Sequence, residues 1–191
     1  MIVTASLKDL DQITKLHLQA LGNTPNSQIG SWLIRKLYES TIKSKAAKVI
    51  LYKEHNQVIG IISFALDLPT VVDQIAKRFS PAELCKVVLG MCIHPWTIIL
   101  QVNHRLFMLQ SNKYLPKSYP GIMTIAVDEN YRRKNIGSKL IQSIDKFIVD
   151  IPRCIYVDTY TSNTKAINFY LKNGYHKVYA SYGNTMLKKD L

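Results

Sequence analysis

The chain has 191 residues, 47% of them apolar and 20% charged, so it can bury a real core and is not composed like a disordered segment. Its 25 Lys and Arg against 13 Asp and Glu give a formal net charge of +12, which favours an acidic or phosphorylated partner. No basic run is interleaved with aromatics, so charge alone makes no case for nucleic acid, and no pair among Cys85, Cys92 and Cys154 has metal-ligand spacing or completes a disulfide framework.

Residues 2–5 are a short β-prone run, and Ser6-Leu7-Lys8-Asp9 follows as a helix start with Ser6 as N-cap. Leu10, Ile13, Leu16, His17 and Leu21 continue at helical spacing. Residues 22–27, rich in Gly, Asn, Pro and Ser, read as a loop. Trp32, Leu33, Leu37 and Tyr38 predict a second helix, and residues 48–52 and 58–65 predict two strands around the polar turn Glu54-His55-Asn56-Gln57.

Residues 68–118 differ in character. Ser80-Pro81-Ala82-Glu83 is a strong helix start, with Ser at the N-cap, Pro at the first helical position and Glu reaching back. Pro95 splits the apolar stretch that follows into two expected helices, one to about Ile93 and one from about Trp96 to Gln110. Cys85 and Cys92 lie seven apart and share a face of the first, where free thiols pack as small apolar groups; two buried thiols and a reducing cytoplasm are expected. The opening MIVTASLKDLDQ has no basic start followed by an apolar stretch, so no signal peptide is read. Residues 113–120 are a loop.

Residues 122–127 read as a buried strand and 128–133 as a turn. Ile136, Leu140, Ile141, Ile144, Phe147 and Ile148 mark one face of a helix. Residues 154–160 form a strand, 164–173 a helix closed by Gly174, and 175–180 with 185–189 a hairpin around Tyr182-Gly183-Asn184. The order is β-α-α-β-β, an inserted helical segment, then β-α-β-α-β-β.

Two segments carry chemistry. In the first, the strand through Ile125-Ala126-Val127 runs into the basic turn Arg132-Arg133-Lys134-Asn135 and on to the helix start Ile136-Gly137-Ser138. A helix N-terminus offers unpaired N–H groups and partial positive charge to an anion, and Gly137 lets a phosphate come near the backbone. An ordinary connection with a solvated basic turn is the plainer reading. In the second, Ser162 or Asn163 caps a helix on which Ala166 and Tyr170 share a face. Here Phe169 and Tyr170 can equally be core aromatics.

Together the segments resemble the GNAT superfamily of N-acetyltransferases. The family's phosphate-binding pattern, Arg or Gln, two residues, Gly, any, then Gly or Ala, stands here as Arg132 to Gly137, with Asn135 in place of the usual Gly. Its later segment stands here as Asn163, Phe169-Tyr170 and Gly174-Tyr175. Asn tolerates left-handed backbone better than most residues, so the loop survives the exchange, while its side chain can crowd a pyrophosphate.

The resemblance implies a single α/β (α+β) domain over residues 1–191. Its mixed, mostly antiparallel central sheet is flanked by helices, with a helical insertion at about 68–118 after the third strand. It implies acetyl-CoA as cosubstrate, no metal, and transfer of the acetyl group to a primary amine by direct attack. Within the Ile125-Ala126-Val127 strand, the N–H and C=O groups of Ile125 and Val127 would hold the pantetheine arm. The N–H groups of Arg133 to Ser138, with charge from Arg132, Arg133 and Lys134, would hold the pyrophosphate. Asn163 would bond to the pantetheine arm, Tyr170 would protonate the departing thiolate, and a backbone N–H of residues 122–127 would steady the thioester carbonyl.

Asp158 stands where similar ribosomal-protein alanine acetyltransferases have Glu. It is a candidate base, one methylene shorter and in need of a bridging water; a salt-bridged Asp is the alternative. Thr124 lies nearby but is no base unaided.

Residues 87–103 contain no formally charged residue, but His94, Pro95, Gln101 and Asn103 interrupt what would otherwise approach a membrane span. A helical subdomain on the acceptor side or a homodimer contact is expected, with Leu84, Val88, Ile99 and Leu106 buried, and peripheral membrane attachment is the alternative. The run from Asn26 to Trp32 through Tyr38, with the insertion, looks like a bacterial subgroup associated with surface-sugar synthesis, which implies a small-molecule acceptor such as an amino sugar. The alternatives are a protein N-terminal or lysine acetyltransferase, and a non-catalytic CoA-binding module of the same fold. No nucleic-acid partner and a cytoplasmic location are expected.

Overall fold

The structure, a computed structural model, describes residues 1–147 and 154–191. Seven strands form one sheet: β1 (Ile2–Thr4), β2 (Ala47–Glu54), β3 (Gln57–Ala65), β4 (Gly121–Val127), β5 (Cys154–Tyr160), β6 (His176–Ser181) and β7 (Asn184–Asp190). Their order is β1-β2-β3-β4-β5-β7-β6, and every neighbouring pair is antiparallel except β4 and β5. This is the mixed, mostly antiparallel sheet that the resemblance implies.

Helices α1 (Leu10–Leu21) and α3 (Ser31–Ile42) cover one face of the first strands. Their apolar stripes, including Leu10, Ile13, Leu16, Ile34 and Tyr38, pack on Val49, Leu51, Val58 and Ile61. The opposite face carries α7 (Ile136–Ile144) and α8 (Thr164–Lys172), whose Ile136, Leu140, Ile141, Ile144, Ile167 and Tyr170 pack on Ile50, Ile62, Phe64, Ile155 and Val157. Each such aliphatic side chain contributes roughly 1.5–3 kcal/mol by burial, so these two stripes fix the positions of α7 and α8. Phe147 packs against the same cluster; Ile148 lies outside the described residues.

One helix appears where a loop is expected, and a second in the part of the helical insertion for which no helix start is read. The segment read as a loop contains α2 (Pro25–Ile29), with Thr24 before it and Pro25 in its first turn. Leu68–Ala76 forms α4, for which the Asp67 side chain accepts from the Thr70 N–H at 3.5 Å. Ser6 behaves as expected in a modified form: its N–H and hydroxyl both donate to the Asp9 carboxylate, over a 3-10 turn, Leu7–Asp9, that leads into α1.

The insertion holds α4, α5 (Pro81–Ile93) and α6 (Pro95–Ser111). The capping box forms as predicted, with Ser80 N–H donating to Glu83 at 2.8 Å and Glu83 N–H donating to the Ser80 hydroxyl at 3.3 Å. Glu83 also pairs with Lys36 of α3 at 2.9 Å, and Gly90 packs against Ile29 of α2.

Its Leu84, Val88, Ile99 and Leu106 are not buried against the rest of the domain, one of the two places that the sequence reading gives them. Within the chain Leu84 is 50% exposed, Val88 57%, Ile99 63% and Leu106 38%. Cys85 and Cys92 are exposed too, and only Cys154 is a buried thiol. The physical reason is layering. The sheet face beneath the insertion is covered by α6 through Phe107 and Met108, which pack with Cys154, Tyr156 and Met186, so α5 has no second layer to enter and buries none of its side chains. No single helix among the described residues is long and apolar enough to cross a membrane; α5 and α6 pass such a test only as a pair, bent by 110°.

Candidate active site

The site begins with a gap in the sheet. β4 and β5 run parallel but pair only at Gly121 and Tyr156, where Tyr156 N–H donates to Pro120 C=O at 3.0 Å. Toward their C-terminal ends the strands separate. Burial changes at the same place: residues 123–125 and 127 of β4 and 158–160 of β5 are half-buried, while their starts are sealed.

β4 keeps its other edge on β3, with Ser63 opposite Thr124 and Phe64 opposite Ile122, which leaves Met123 without a partner. Such a bulge re-aims the side chains that follow it. Asp128 N–H donates to Ile59 C=O of β3 at 3.0 Å. Since backbone groups alternate along a strand, Ala126 also faces β3, while the N–H and C=O groups of Ile125 and Val127 face the gap. A bare strand edge is thus open beside β5.

Beyond β4 the chain turns sharply. Arg133 (φ 64°) and Asn135 (φ 61°) both sit in the left-handed region, and α7 starts immediately after. Asn is among the few non-glycine residues that enter this region readily, so Asn135 preserves the turn that glycine would make. Among the described residues, none of the N–H groups from Arg133 to Ser138 meets a protein acceptor. Together with the first turn of α7 they form a concave set of donors suited to phosphate oxygens. Arg132 Nε donates weakly to Val127 C=O at 3.4 Å, and the Lys134 ammonium lies 4.7 Å from the Tyr131 ring centre. The Cβ direction of Gly137 points not into open space but at Phe169, whose ring carbons would lie 3.0 Å away. Close packing of α7 on α8 is therefore a second reason for glycine there.

On the far side of the gap, Asn163 caps α8: its carboxamide oxygen accepts from Ala166 N–H at 3.1 Å. That bond fixes the carboxamide, and its Nδ2 group is left as a donor for a ligand. Tyr170 is 4% exposed and sits edge-on to both Phe169 and Tyr175. Burial pushes its phenol well above the usual range, and the Asp158 carboxylate adds to the effect. The phenol therefore keeps its proton at neutral pH.

Asp158 points to the opposite face of the sheet. There the sequence reading missed a residue: His104 of α6 places Nε2 at 3.0 Å from Asp158 Oδ2. The two are 54 positions apart in the chain, and a lone His in an apolar helix carries no signal of its own. The hydrogen bond to Asp158 raises the His104 pKa, against the opposing effect of burial. The Asp158 charge is also felt by Tyr119, pushed up to about 12 mainly by burial, and by Tyr160. Thr124 of β4 lies beside the buried Tyr38 hydroxyl, which hydrogen-bonds His17 Nδ1 at 2.9 Å. No group of three or more His, Cys, Asp or Glu side chains that could hold a metal occurs among the described residues.

The gap, the donor loop and the buried phenol thus lie at one end of β4 and β5. The profile of the acetyltransferase (GNAT) family matches residues 16–175. The chain belongs to that family and is an acetyl-CoA-dependent acetyltransferase. It is 27% identical over 150 residues to N-alpha-acetyltransferase 30 of Dictyostelium discoideum, with 76% of each chain covered. Its fold is similar to that of PaiA N-acetyltransferase from Thermoplasma acidophilum, solved in complex with coenzyme A (TM-score 0.65, 14% identity, 100% of this chain and 98% of that one). The ribosomal-protein-alanine N-acetyltransferase of Brucella melitensis is also similar (TM-score 0.61, 13% identity, 100% and 99% covered).

Proposed function

We propose that the chain acetylates the primary amine of a small molecule, an amino sugar being the class in mind, by direct attack in the gap between β4 and β5. Acetyl-CoA supplies the acetyl group as a thioester. The unpaired N–H groups of Arg133 to Ser138 take its pyrophosphate, with Arg132, Arg133 and Lys134 lending charge. Ile125 and Val127 hold the pantetheine arm as an added strand would, Ala126 keeps that strand on β3, and Asn163 Nδ2 donates from the other side. A backbone N–H on β4 steadies the carbonyl oxygen.

Tyr170 faces the leaving sulfur. Its raised phenol is fully protonated, so it can give a hydrogen bond as charge develops there and then pass on its proton. Asp158 sits across the gap, where an incoming amine must lose a proton. The single observation that carries the small-molecule reading is α6, which the insertion brings to the Asp158 side of the gap, with His104 3.0 Å from Asp158, where an extended peptide would otherwise lie. The test is thiol release from acetyl-CoA with amino sugars, free and nucleotide-linked, beside short peptides.

A second reading has its own support. The likeness to an N-alpha-acetyltransferase favours a protein N-terminal α-amino group as acceptor. Turnover of peptides in preference to every amino sugar would establish it.

The apolar face that α5 and α6 leave bare, including Leu89, Ile93, Trp96 and Ile99, suits the surface of an anionic membrane, given the net charge of +12. Exposed Cys85 and Cys92 suit a reducing, cytoplasmic setting. Co-sedimentation with phosphatidylglycerol vesicles but not with phosphatidylcholine vesicles is expected; a dimer on ultracentrifugation without vesicle binding would assign the face to a second copy.

A further inference from the structure

We propose that His104 and Asp158 form a proton-accepting dyad, in which His104 Nδ1 takes the proton of the attacking amine and Asp158 holds the imidazole. The inference rests on the acetyl-transfer reading of the gap and deepens it: the base is His104, supplied by the inserted helix, and Asp158 is its positioning residue.

The tautomer follows from the geometry. Asp158 Oδ2 is an acceptor, so the nitrogen 3.0 Å from it, Nε2, carries the hydrogen. In the neutral ring the lone pair then lies on Nδ1, for which no partner occurs among the described residues. The ring is held from behind by the buried Phe107, at 6.2 Å between centres, and Phe107 stacks on Tyr179 of β6 at 5.7 Å. The imidazole is thus fixed on two sides and free on the third. The His104 side chain is 45% exposed and that of Asp158 28%, so the dyad lies at the mouth of the gap, within reach of an acceptor from solution.

The other titratable groups that feel Asp158 are Tyr119, Tyr160 and Tyr170, all neutral phenols at physiological pH. Among the described residues, His104 is the only basic side chain paired with Asp158. The carboxylate has no other basic partner among them, and makes the imidazole a stronger base than a free histidine. The shortness of Asp158 relative to Glu then has a simple consequence. The imidazole takes the place of a bridging water and extends the carboxylate's reach by one hydrogen bond and the width of a ring.

The step balances. The acceptor ammonium gives one proton to Nδ1 and becomes a neutral amine. Its nitrogen bonds to the acyl carbon, the carbon–sulfur bond breaks, and the sulfur leaves with the bonding pair. The nitrogen sheds one further proton and the sulfur gains one from Tyr170, which is refilled from solvent. His104 returns its proton to solvent. The sum is an amide, a free thiol and one released proton.

The test is kcat against pH for the wild type, His104→Gln and Asp158→Asn, following thiol release with glucosamine 6-phosphate and with an alanine-initiated peptide. Wild-type kcat should fall on the acid side with a midpoint above the ordinary histidine value of about 6.5, because protonated His104 accepts nothing. His104→Gln should lose about 100-fold or more in kcat and lose that limb, with KM for acetyl-CoA unchanged. Asp158→Asn should keep the limb but move it to lower pH, since the group that raises His104 is gone. Free imidazole should partly restore His104→Ala, an outcome that a purely structural pin between α6 and β5 would not give. A folded His104→Gln that keeps wild-type kcat and its acid limb overturns the dyad while leaving acetyl transfer intact. No thiol release by the wild type from either amine overturns the acetyl-transfer reading, and the dyad with it.

Discussion

Gly137 of α7 and Phe169 of α8 touch where the two helices begin to bracket the gap: a Cβ added at Gly137 would stand 3.0 Å from two carbons of the Phe169 ring. The donor loop before α7 and the Tyr170 phenol beside Phe169 are thereby held in one rigid relation. Gly137→Ala should push α7 away from α8. Overpacking of this kind costs about 1–3 kcal/mol, and a misplaced donor loop should weaken CoA binding roughly tenfold, equivalent to about 1.4 kcal/mol. Calorimetric titration with CoA checks this, and Phe169→Leu in the same chain should recover part of the loss. Unchanged affinity in Gly137→Ala would separate the packing from the binding loop.

Asn135 is left-handed with φ 61°, a conformation that glycine enters without cost. Asn135→Gly should therefore keep the fold and retain or tighten CoA binding, since it also removes a side chain from the donor concavity. The same titration checks it. A clear loss of affinity would mean that the Asn135 carboxamide itself contacts the ligand.

His17 gives an acid-sensitive element on α1, joined to β4 through Tyr38 and Thr124. It is buried, bonded to Tyr38 through Nδ1, and burial lowers its pKa from 6.5 to about 4. Its folded pKa lies below its unfolded one, so its contribution is complete above pH 6.5 and is lost as pH falls toward 4, because only the unfolded chain takes up the proton. The loss amounts to roughly 3 kcal/mol at the lower end. Urea melts between pH 8 and 4.5 should show this slope, and His17→Phe should flatten it. An NMR titration placing His17 near 6.5 in the folded chain would contradict the assignment.

The bare face of the insertion predicts an unusual tolerance. Ile99→Asp or Leu89→Asp would ruin a packed core, but each of these residues is 63% exposed. Stability should move by no more than about 0.5 kcal/mol, the range of ordinary surface changes. Thermal melts check this, and a large drop in melting temperature would mean that the face is covered in solution.

Much of this was legible in the sequence, and the failures have physical causes. The strand edges, the Ser80–Glu83 capping box and the turn into α7 are local signals, and they are found where the sequence puts them. The signals for α2 and α4 were also local, Thr24-Pro25 and Asp67-Leu68-Pro69, but clusters of loop-forming residues and an apolar start masked them. Where the insertion's apolar side chains are covered is not legible, because apolar composition tells which residues avoid water, not whether a layer of the same domain is available to cover them. The His104–Asp158 pair is a tertiary contact between an inserted helix and a distant strand, and no periodicity or spacing within either segment announces it.

The most direct measurement of the account is kcat of Tyr170→Phe against the wild type, across pH, with an acceptor that the wild type turns over. Phe keeps the ring contacts to Phe169 and Tyr175, so melting temperature and acetyl-CoA affinity should hold. The hydroxyl alone is removed, and with it the donor for the leaving sulfur. A fall in kcat of about 100- to 10,000-fold, with the alkaline limb of the profile flattened, is the predicted result. Full kcat at every pH in a folded, acetyl-CoA-binding Tyr170→Phe would make Tyr170 a core aromatic and contradict its role in acetyl transfer.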